Sequence, residues 1–235
     1  MTREWNAAAY DRLRSPMTRW GETVLGWLDL AGDERVLDAG CGTGQVTERL
    51  RTRLPRGEVV ALDGSASMIE RARDRLGDDR VSYVVADLQK PLSIDEPVDA
   101  VLSTATFHWV LDHDALFRNL AAVMRPGAQL AAQCGGEGNI VSIEAALRDM
   151  GEDFAGRKHY TGPELTRERL ETTGFIDIET WLHASRHRSP RATSRPTSRR
   201  SASVITSREW ATTIARASCT KSPGACPNRS STTCG

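Results

Sequence analysis

Along residues 1–183, short apolar runs alternate with segments in which apolar residues return every three or four positions. Val36–Ala39, Val59–Leu62, Val81–Ala86, Val98–Ser103 and Ala128–Gln133 read as strands, and Phe175–Leu182 as a sixth. Between them lie helical stripes. Val46, Leu50 and Leu54 mark one; Met68, Ile69, Ala72 and Leu76 a second, with Ser65 placed to cap it. A third, through Leu116, Leu120 and Met124, opens at Asp114 and stops at Arg125–Gly127. Trp20, Val24 and Leu28 suggest a leading helix, and Ile143–Met150 and Pro163–Thr172 are helical by pattern. Alternation of this kind predicts an α/β fold: a doubly wound, mostly parallel sheet with helices on both faces.

The pattern stops near residue 184. The 235-residue chain has no net formal charge, yet from Ala184 onward ten Lys and Arg face one acid, Glu209, and there is no leucine. Residues 1–183 hold all twenty leucines, with 21 basic and 30 acidic residues. The reading is therefore a domain over 1–183 and a basic Ser/Thr/Arg/Pro-rich tail over 184–235. Such a tail buries too little apolar surface to order itself, so the expectation is a disordered tail and a sheet without its last strand. Two accounts of the tail stand side by side. Ser185–Ser203 could be a solvated basic arm, or residues from about 184 could be out-of-frame translation of a GC-rich gene. Back-translating Val204–Gly235 with mostly G- or C-ending codons and reading two bases along gives a frame without stops in which acids return, which favours the second account and makes nucleic acid an unexpected partner.

Five cysteines add little. Their number is odd, Cys219, Cys226 and Cys234 lack metal-ligand spacing, and the N-terminus shows no apolar signal region. No run approaches a membrane span. The expectation is a cytoplasmic, monomeric protein with reduced thiols and no metal.

Candidate chemistry concentrates in "VLDAGCGTGQVTERL", where a strand meets a helix. Gly40, Gly42 and Gly44 permit a tight turn and close approach of a ligand to backbone. Asp63, about twenty residues on at the next strand end, is placed to accept ribose hydroxyls. A dinucleotide site needs GxGxxG so that pyrophosphate rests on the helix start, but here Val46 and Thr47 follow the third glycine. Asp38 before the loop would repel pyrophosphate and suits a ligand carrying an ammonium. An amino-acid-bearing nucleoside is favoured over NAD.

These residues resemble motifs of the class I S-adenosylmethionine-dependent methyltransferases. "VLDAGCGTG" is similar to the first motif, "ALDGSASMIERAR" to the second, "VVADLQKPL" to the third and "VDAVLSTATFHWVLDH" to the fourth, with "MRPGAQL" at the entry to strand five. The resemblance covers about residues 5–182 and implies a Rossmann-like fold with S-adenosylmethionine as cofactor. It assigns cofactor contacts to Tyr10, Asp38, Gly40, Cys41, Gly42, Asp63, Gly64, Met68, Asp87, Leu88 and Thr104. Asp63 would meet the ribose, Met68 and Leu88 the adenine ring, and Asp87 the adenine amino group. Within the superfamily, "EWNAAAYDRLR" and "STATFHWVLDHDALF" most resemble the trans-aconitate 2-methyltransferase family, which methylates carboxylates of small acids. That resemblance implies His108 and Trp109 at the reacting end, the tryptophan N–H donating to the substrate carboxylate. Trp5 and Tyr10 would close over the cofactor, and Arg14 and Arg19 could attract an anionic substrate or be solvated surface charges. The expected activity is methyl transfer to a small organic acid. The alternatives are a cofactor-binding protein without turnover, if the last strand is missing, and an NAD-dependent oxidoreductase.

Overall fold

The computed structural model describes Ala7 and residues 17–139, 158–187 and 208–219. Helix α1 spans Met17–Leu25, and five parallel strands follow with their crossovers: β1 Arg35–Ala39, α2 Gln45–Arg53, β2 Glu58–Asp63, α3 Ala66–Leu76, β3 Val81–Val85, β4 Val98–Thr104, a 3-10 turn Phe107–Trp109, α4 His113–Val123 and β5 Met124–Gly135. Helix α5 Pro163–Thr172, β6 Phe175–His187 and β7 Arg208–Cys219 complete the order.

Local chemistry sets the boundaries. The Ser65 hydroxyl accepts the Met68 N–H at 3.4 Å to start α3, and Gly77 in a positive-φ conformation ends it. Helix α4 is capped by Asp112, whose carboxylate accepts the Ala115 N–H at 2.9 Å, rather than by Asp114. Met124 follows α4 directly and already belongs to β5. The expected helix Ile143–Met150 lies outside the described residues.

In space the strands run β3-β2-β1-β4-β5-β7-β6. One apolar layer, with Val24, Leu50, Leu54, Ile69 and Leu102, joins the sheet to α1, α2 and α3. The other, with Leu37, Phe107, Phe117, Leu120, Leu130 and Leu170, joins it to α4 and α5. Among the described residues no helix is long and apolar enough to cross a membrane.

The expectation of a sheet without its last strand is corrected. β7 lies inside the segment read as a structureless tail, and it inserts antiparallel between β5 and β6, from Gln129↔Ser218 to Gly135↔Thr212 on one side and from Phe175↔Cys219 to His187↔Arg208 on the other. β6 itself runs past residue 184. The reason is that an interior strand needs hydrogen-bonding neighbours on both edges but only side chains that fit beneath its helices. Ala215, Ala217 and Cys219 alternate into the layer holding Leu170 and Phe175. A small apolar face suffices there, and the absence of leucine does not prevent it. β5 consequently has no open edge along this stretch.

Candidate active site

Strand order reverses between β1 and β4, and α/β sheets bind ligands beyond the strand ends at such a point. Asp38 stands there, 1% exposed, between Ala61 of β2 and Leu102 of β4. One carboxylate oxygen, Oδ2, accepts the Thr47 hydroxyl at 2.7 Å, while Oδ1 has no hydrogen-bond partner among the described residues. Burial pushes the Asp38 carboxyl up to about 7; the Thr47 bond works against this and the nearby Asp63 charge adds to it. A buried acceptor left open in this way is the complement of a cationic donor.

The glycine turn closes around it. Gly40 and Cys41 both donate to the Leu62 carbonyl, at 2.8 and 2.9 Å, which swings the chain over β2. Gly40 has φ +89°, and a Cβ there would lie 2.1 Å from the Thr106 hydroxyl. At Gly42, φ +56°, a Cβ would meet nothing within 4 Å, so this part of the loop faces open space. Gly42 N–H donates to Asp63 Oδ2 at 3.0 Å and Ser65 N–H to Oδ1 at 2.9 Å, fixing the Asp63 carboxylate between the loop and the start of α3. Gly64 lies between them, half-buried. Met68 is buried on the first turn of α3. Asp87 accepts from the backbone and side chain of Gln89 at 3.0 and 3.3 Å. Leu88 packs in the α4-side layer, and its carbonyl accepts from Asn119 at 3.0 Å. The Cys41 side chain packs in the opposite layer, where burial and the Asp38 and Asp63 charges push its thiol well above the usual range.

A second cluster sits past β4. Thr104 ends the strand, and Ala105 takes φ +54°, an uncommon conformation for a residue with a Cβ, held by its N–H bond to the Gln133 carbonyl at 2.7 Å. This kink lets the Thr106 hydroxyl reach the carbonyls of Thr104 (3.0 Å) and Gly40 (3.3 Å), joining the two loops. The 3-10 turn that follows presents His108 and Trp109. Gly135 N–H donates to His108 Nδ1 at 3.1 Å, so the ring is neutral with its proton on Nε2. Burial, then the charge of Lys158, push His108 down to about 3. Its ring stacks on Tyr160 at 5.8 Å, and the Lys158 ammonium lies 4.2 Å from the centre of the Trp109 ring.

Residues 158–161 are laced to this turn. His159 N–H donates to the His108 carbonyl at 2.9 Å, and its Nδ1 donates to the Leu111 carbonyl at 2.8 Å. His113, 3% exposed, donates from Nε2 to the Phe107 carbonyl at 2.9 Å and takes the Thr161 hydroxyl at Nδ1, 3.2 Å away. Burial pushes it down to about 4. Cys134, beside them at the end of β5, is pushed up to about 12 by burial and is an inert thiol. Among the described residues no group of His, Cys, Asp and Glu could hold a metal ion.

Residues 36–127 match a family described as a methyltransferase domain. The trans-aconitate 2-methyltransferase of Methylobacterium nodulans is 32% identical over 183 residues, covering 77% of this chain and 68% of that protein. The chain belongs to the class I S-adenosylmethionine-dependent methyltransferases. The trans-aconitate 2-methyltransferase of Variovorax paradoxus is 36% identical over 130 residues, 55% of this chain, and the match spans about half of that relative, 49%. Among solved structures, a chain of the complex between the Haloferax volcanii Trm112 methyltransferase activator and its methyltransferase superposes with a TM-score of 0.70 at 21% identity, covering 92% of this chain and 94% of that one. That likeness is one of fold.

As a methyltransferase of this class, the chain has its glycine loop, Asp38, Asp63 and Thr104 at neighbouring strand ends, with His108 and Trp109 one short turn beyond. Tyr10, Trp5 and Arg14 lie outside the described residues, as does the Arg19 side chain. The sequence reading missed Thr47, Lys158, Tyr160 and His113. Thr47 carried no signal beyond sitting on a helix next to the loop. The others come from segments whose approach to the β4 end only the folded sheet brings about.

Proposed function

We propose that this chain transfers the methyl group of S-adenosylmethionine to a carboxylate of a small organic acid. The observation that carries the reading is the pairing of an ammonium-receptive carboxylate, Asp38, with an indole and ammonium cluster, Trp109 and Lys158, past the adjoining strand. The cofactor residues fit: Asp38 Oδ1 would take the cofactor's ammonium, the open face at Gly42 would admit it, and Asp63 would hold the ribose. When bound, S-adenosylmethionine supplies an electrophilic methyl on a sulfonium.

A carboxylate has no proton to lose at neutral pH, so the chain's own residues need not act as a base. His108, neutral with Nδ1 already occupied, is suited to packing and donating from Nε2 rather than to accepting a proton. Trp109 would aim the acceptor carboxylate through its indole N–H, and the aromatic walls would exclude water. Cofactor binding without turnover loses its motive with β7 in place, and the Asp38 carboxylate disfavours a pyrophosphate-bearing dinucleotide.

The test is incubation with methyl-labelled S-adenosylmethionine and a panel of mono-, di- and tricarboxylic acids, scored for base-labile label in the acid. Methyl ester formation is expected. A protein that binds the cofactor and esterifies no acid refutes the reading.

A further inference from the structure

We propose that the side-chain amides of Gln133 and Asn139 form a hydroxyl-accepting wall of the acceptor site, so that the preferred acceptors are hydroxy acids. This rests on the carboxylate reading above and names the class of acid. The hydroxyl is only bound; the carboxylate is the group that is methylated.

The starting point is where unpartnered buried atoms gather. Among the described residues, four buried side-chain nitrogen and oxygen atoms have no hydrogen-bond partner. Arg35 Nε belongs to the first residue of β1, at the far end of the sheet. The other three are oxygens at the end where the glycine loop lies: Asp38 Oδ1, assigned above to the cofactor ammonium, Gln133 Oε1 and Asn139 Oδ1. Gln133 is 6% and Asn139 4% exposed, so bulk water scarcely reaches either. Protein interiors pair such atoms, and an acceptor left unmade costs stability that a ligand donor would recover.

Strand alternation and one turn place both amides beside the reacting end. In β5, Ala132 and Cys134 enter the layer of α4 and α5, whereas Ala131 enters the opposite layer. Gln133 therefore shares the face of Ala131. That is also the face of Asp38, because Asp38, Leu102 and Ala131 stand in register across β1, β4 and β5. Gln133 lies opposite Thr104, two residues further toward the strand ends. Gly135 is next on this face, and a Cβ there would lie 2.6 Å from Asn139 Nδ2 and 2.6 Å from Tyr160 Cε1. Asn139 comes back over the strand through a turn closed by its N–H to the Gly136 carbonyl at 3.0 Å, with Gly138 at φ +78°. The Tyr160 ring beside it stacks on His108 at 5.8 Å, and the His108 and Trp109 ring centres are 5.1 Å apart. The amides thus border the aromatic cluster assigned to the acceptor.

The chemistry then selects the group they take. An amide oxygen accepts and cannot donate, so the ligand atom facing it carries a hydrogen. A second carboxylate would set oxygen against oxygen. An ammonium would be stripped of water with only neutral oxygens to compensate it. A hydroxyl supplies the hydrogen and carries no charge into an enclosed place. During methyl transfer to the carboxylate this hydroxyl keeps its proton, so its bond holds ground state and transition state alike and shows in KM rather than kcat. An acid lacking the hydroxyl leaves the amide oxygens unpaired and is discriminated against for that reason.

The experiment gives the full chain matched acids: 2-hydroxypropanoate with propanoate, 2-hydroxysuccinate with succinate, citrate with tricarballylate, and 2-aminosuccinate as the cationic counterpart. Turnover is read with methyl-labelled S-adenosylmethionine, and binding by calorimetry on protein loaded with S-adenosylhomocysteine. The wild-type chain is expected to prefer the hydroxy member of a pair by about tenfold to a hundredfold, through KM and through affinity. Gln133→Met and Asn139→Leu should each reduce that ratio and the double variant should abolish it, with S-adenosylhomocysteine affinity unaltered as the check that the fold and the cofactor site persist. Equal use of hydroxy and deoxy acids, a preference for 2-aminosuccinate, or variants that lower both members of a pair equally overturns the assignment. A loss of S-adenosylhomocysteine affinity with the hydroxyl preference intact assigns the amides to the cofactor and overturns it as well. Hydroxyl-selective binding that fades in the variants while no acid is esterified overturns the carboxylate reading and supports the assignment; esterification without hydroxyl preference overturns only the assignment.

Discussion

Protonating Asp38 should strip the protein of cofactor affinity before it disturbs the fold. The carboxyl is raised to about 7 from an ordinary 3.8, mainly by burial, and Oδ1 is the atom left open for a cationic ligand group. If only the ionised form receives the ammonium, apparent affinity falls tenfold per pH unit below 7. At pH 5.5 the loss is about thirtyfold, or about 2 kcal/mol. His108 and His113, held to about 3 and about 4, stay neutral over this window and do not confound it. Titration calorimetry with S-adenosylhomocysteine between pH 5.5 and 7.5 reads the curve directly. Methylthioadenosine, which lacks the ammonium, serves as the control and should show no such slope. Removing the Thr47 hydroxyl, as in Thr47→Val, withdraws a bond to the charged form and should move the midpoint up; Asp63→Asn removes a like charge and should move it down. Stability runs the other way. A raised carboxyl pKa favours the folded apo protein at low pH, and that contribution is lost as pH rises from about 3.8 through 7. Asp38→Asn should therefore raise the melting temperature of the apo protein at pH 8 while weakening S-adenosylhomocysteine. A flat affinity curve, or the same slope with methylthioadenosine, would refute the reasoning.

Gly42→Ala should weaken the cofactor with little change in melting temperature beyond about 1 kcal/mol of left-handed strain, since its Cβ meets only open space; preserved affinity in calorimetry would place the ligand elsewhere. Trp109→Phe should lower kcat for acid methylation more than it weakens cofactor binding, measured by steady-state kinetics beside a binding titration, and the reverse pattern would assign the indole to the cofactor. His113 takes no proton when folded until about pH 4, whereas the unfolded chain takes one near 6.5, so chemical denaturation should show a loss of roughly 3 kcal/mol from this group as pH falls across that interval, and His113→Asn should flatten the slope. Backbone amides of β7 should be protected in hydrogen exchange, and Ala217→Asp should abolish that protection by placing a charge in the α4-side layer; fast exchange in the unmutated strand would exclude it from the sheet.

Features under short-range chemical control were legible along the chain before any fold was known. The apolar runs and helical stripes marked β1 to β6, α2 to α5 and the direction of the sheet. Gly40 and Gly42 announced a tight positive-φ turn, and Asp38 and Asp63 announced the carboxylates that stand beside it. These signals act within a turn or a strand length, so they survive without knowledge of the fold, apart from small displacements such as the cap at Asp112. Tertiary structure alone decided the rest. β7 exists because β5 and β6 offer backbone partners on both sides and the layer beneath has room for Ala215, Ala217 and Cys219, a demand made by neighbours rather than by the strand's own residues. Lys158 meets Trp109 because residues 158–161 are bonded to the turn after β4. The height of the Asp38 pKa follows from its complete enclosure, opposed by the Thr47 bond and aided by the Asp63 charge, quantities set by the dielectric and the distances inside the folded sheet and not by the order of residues along it.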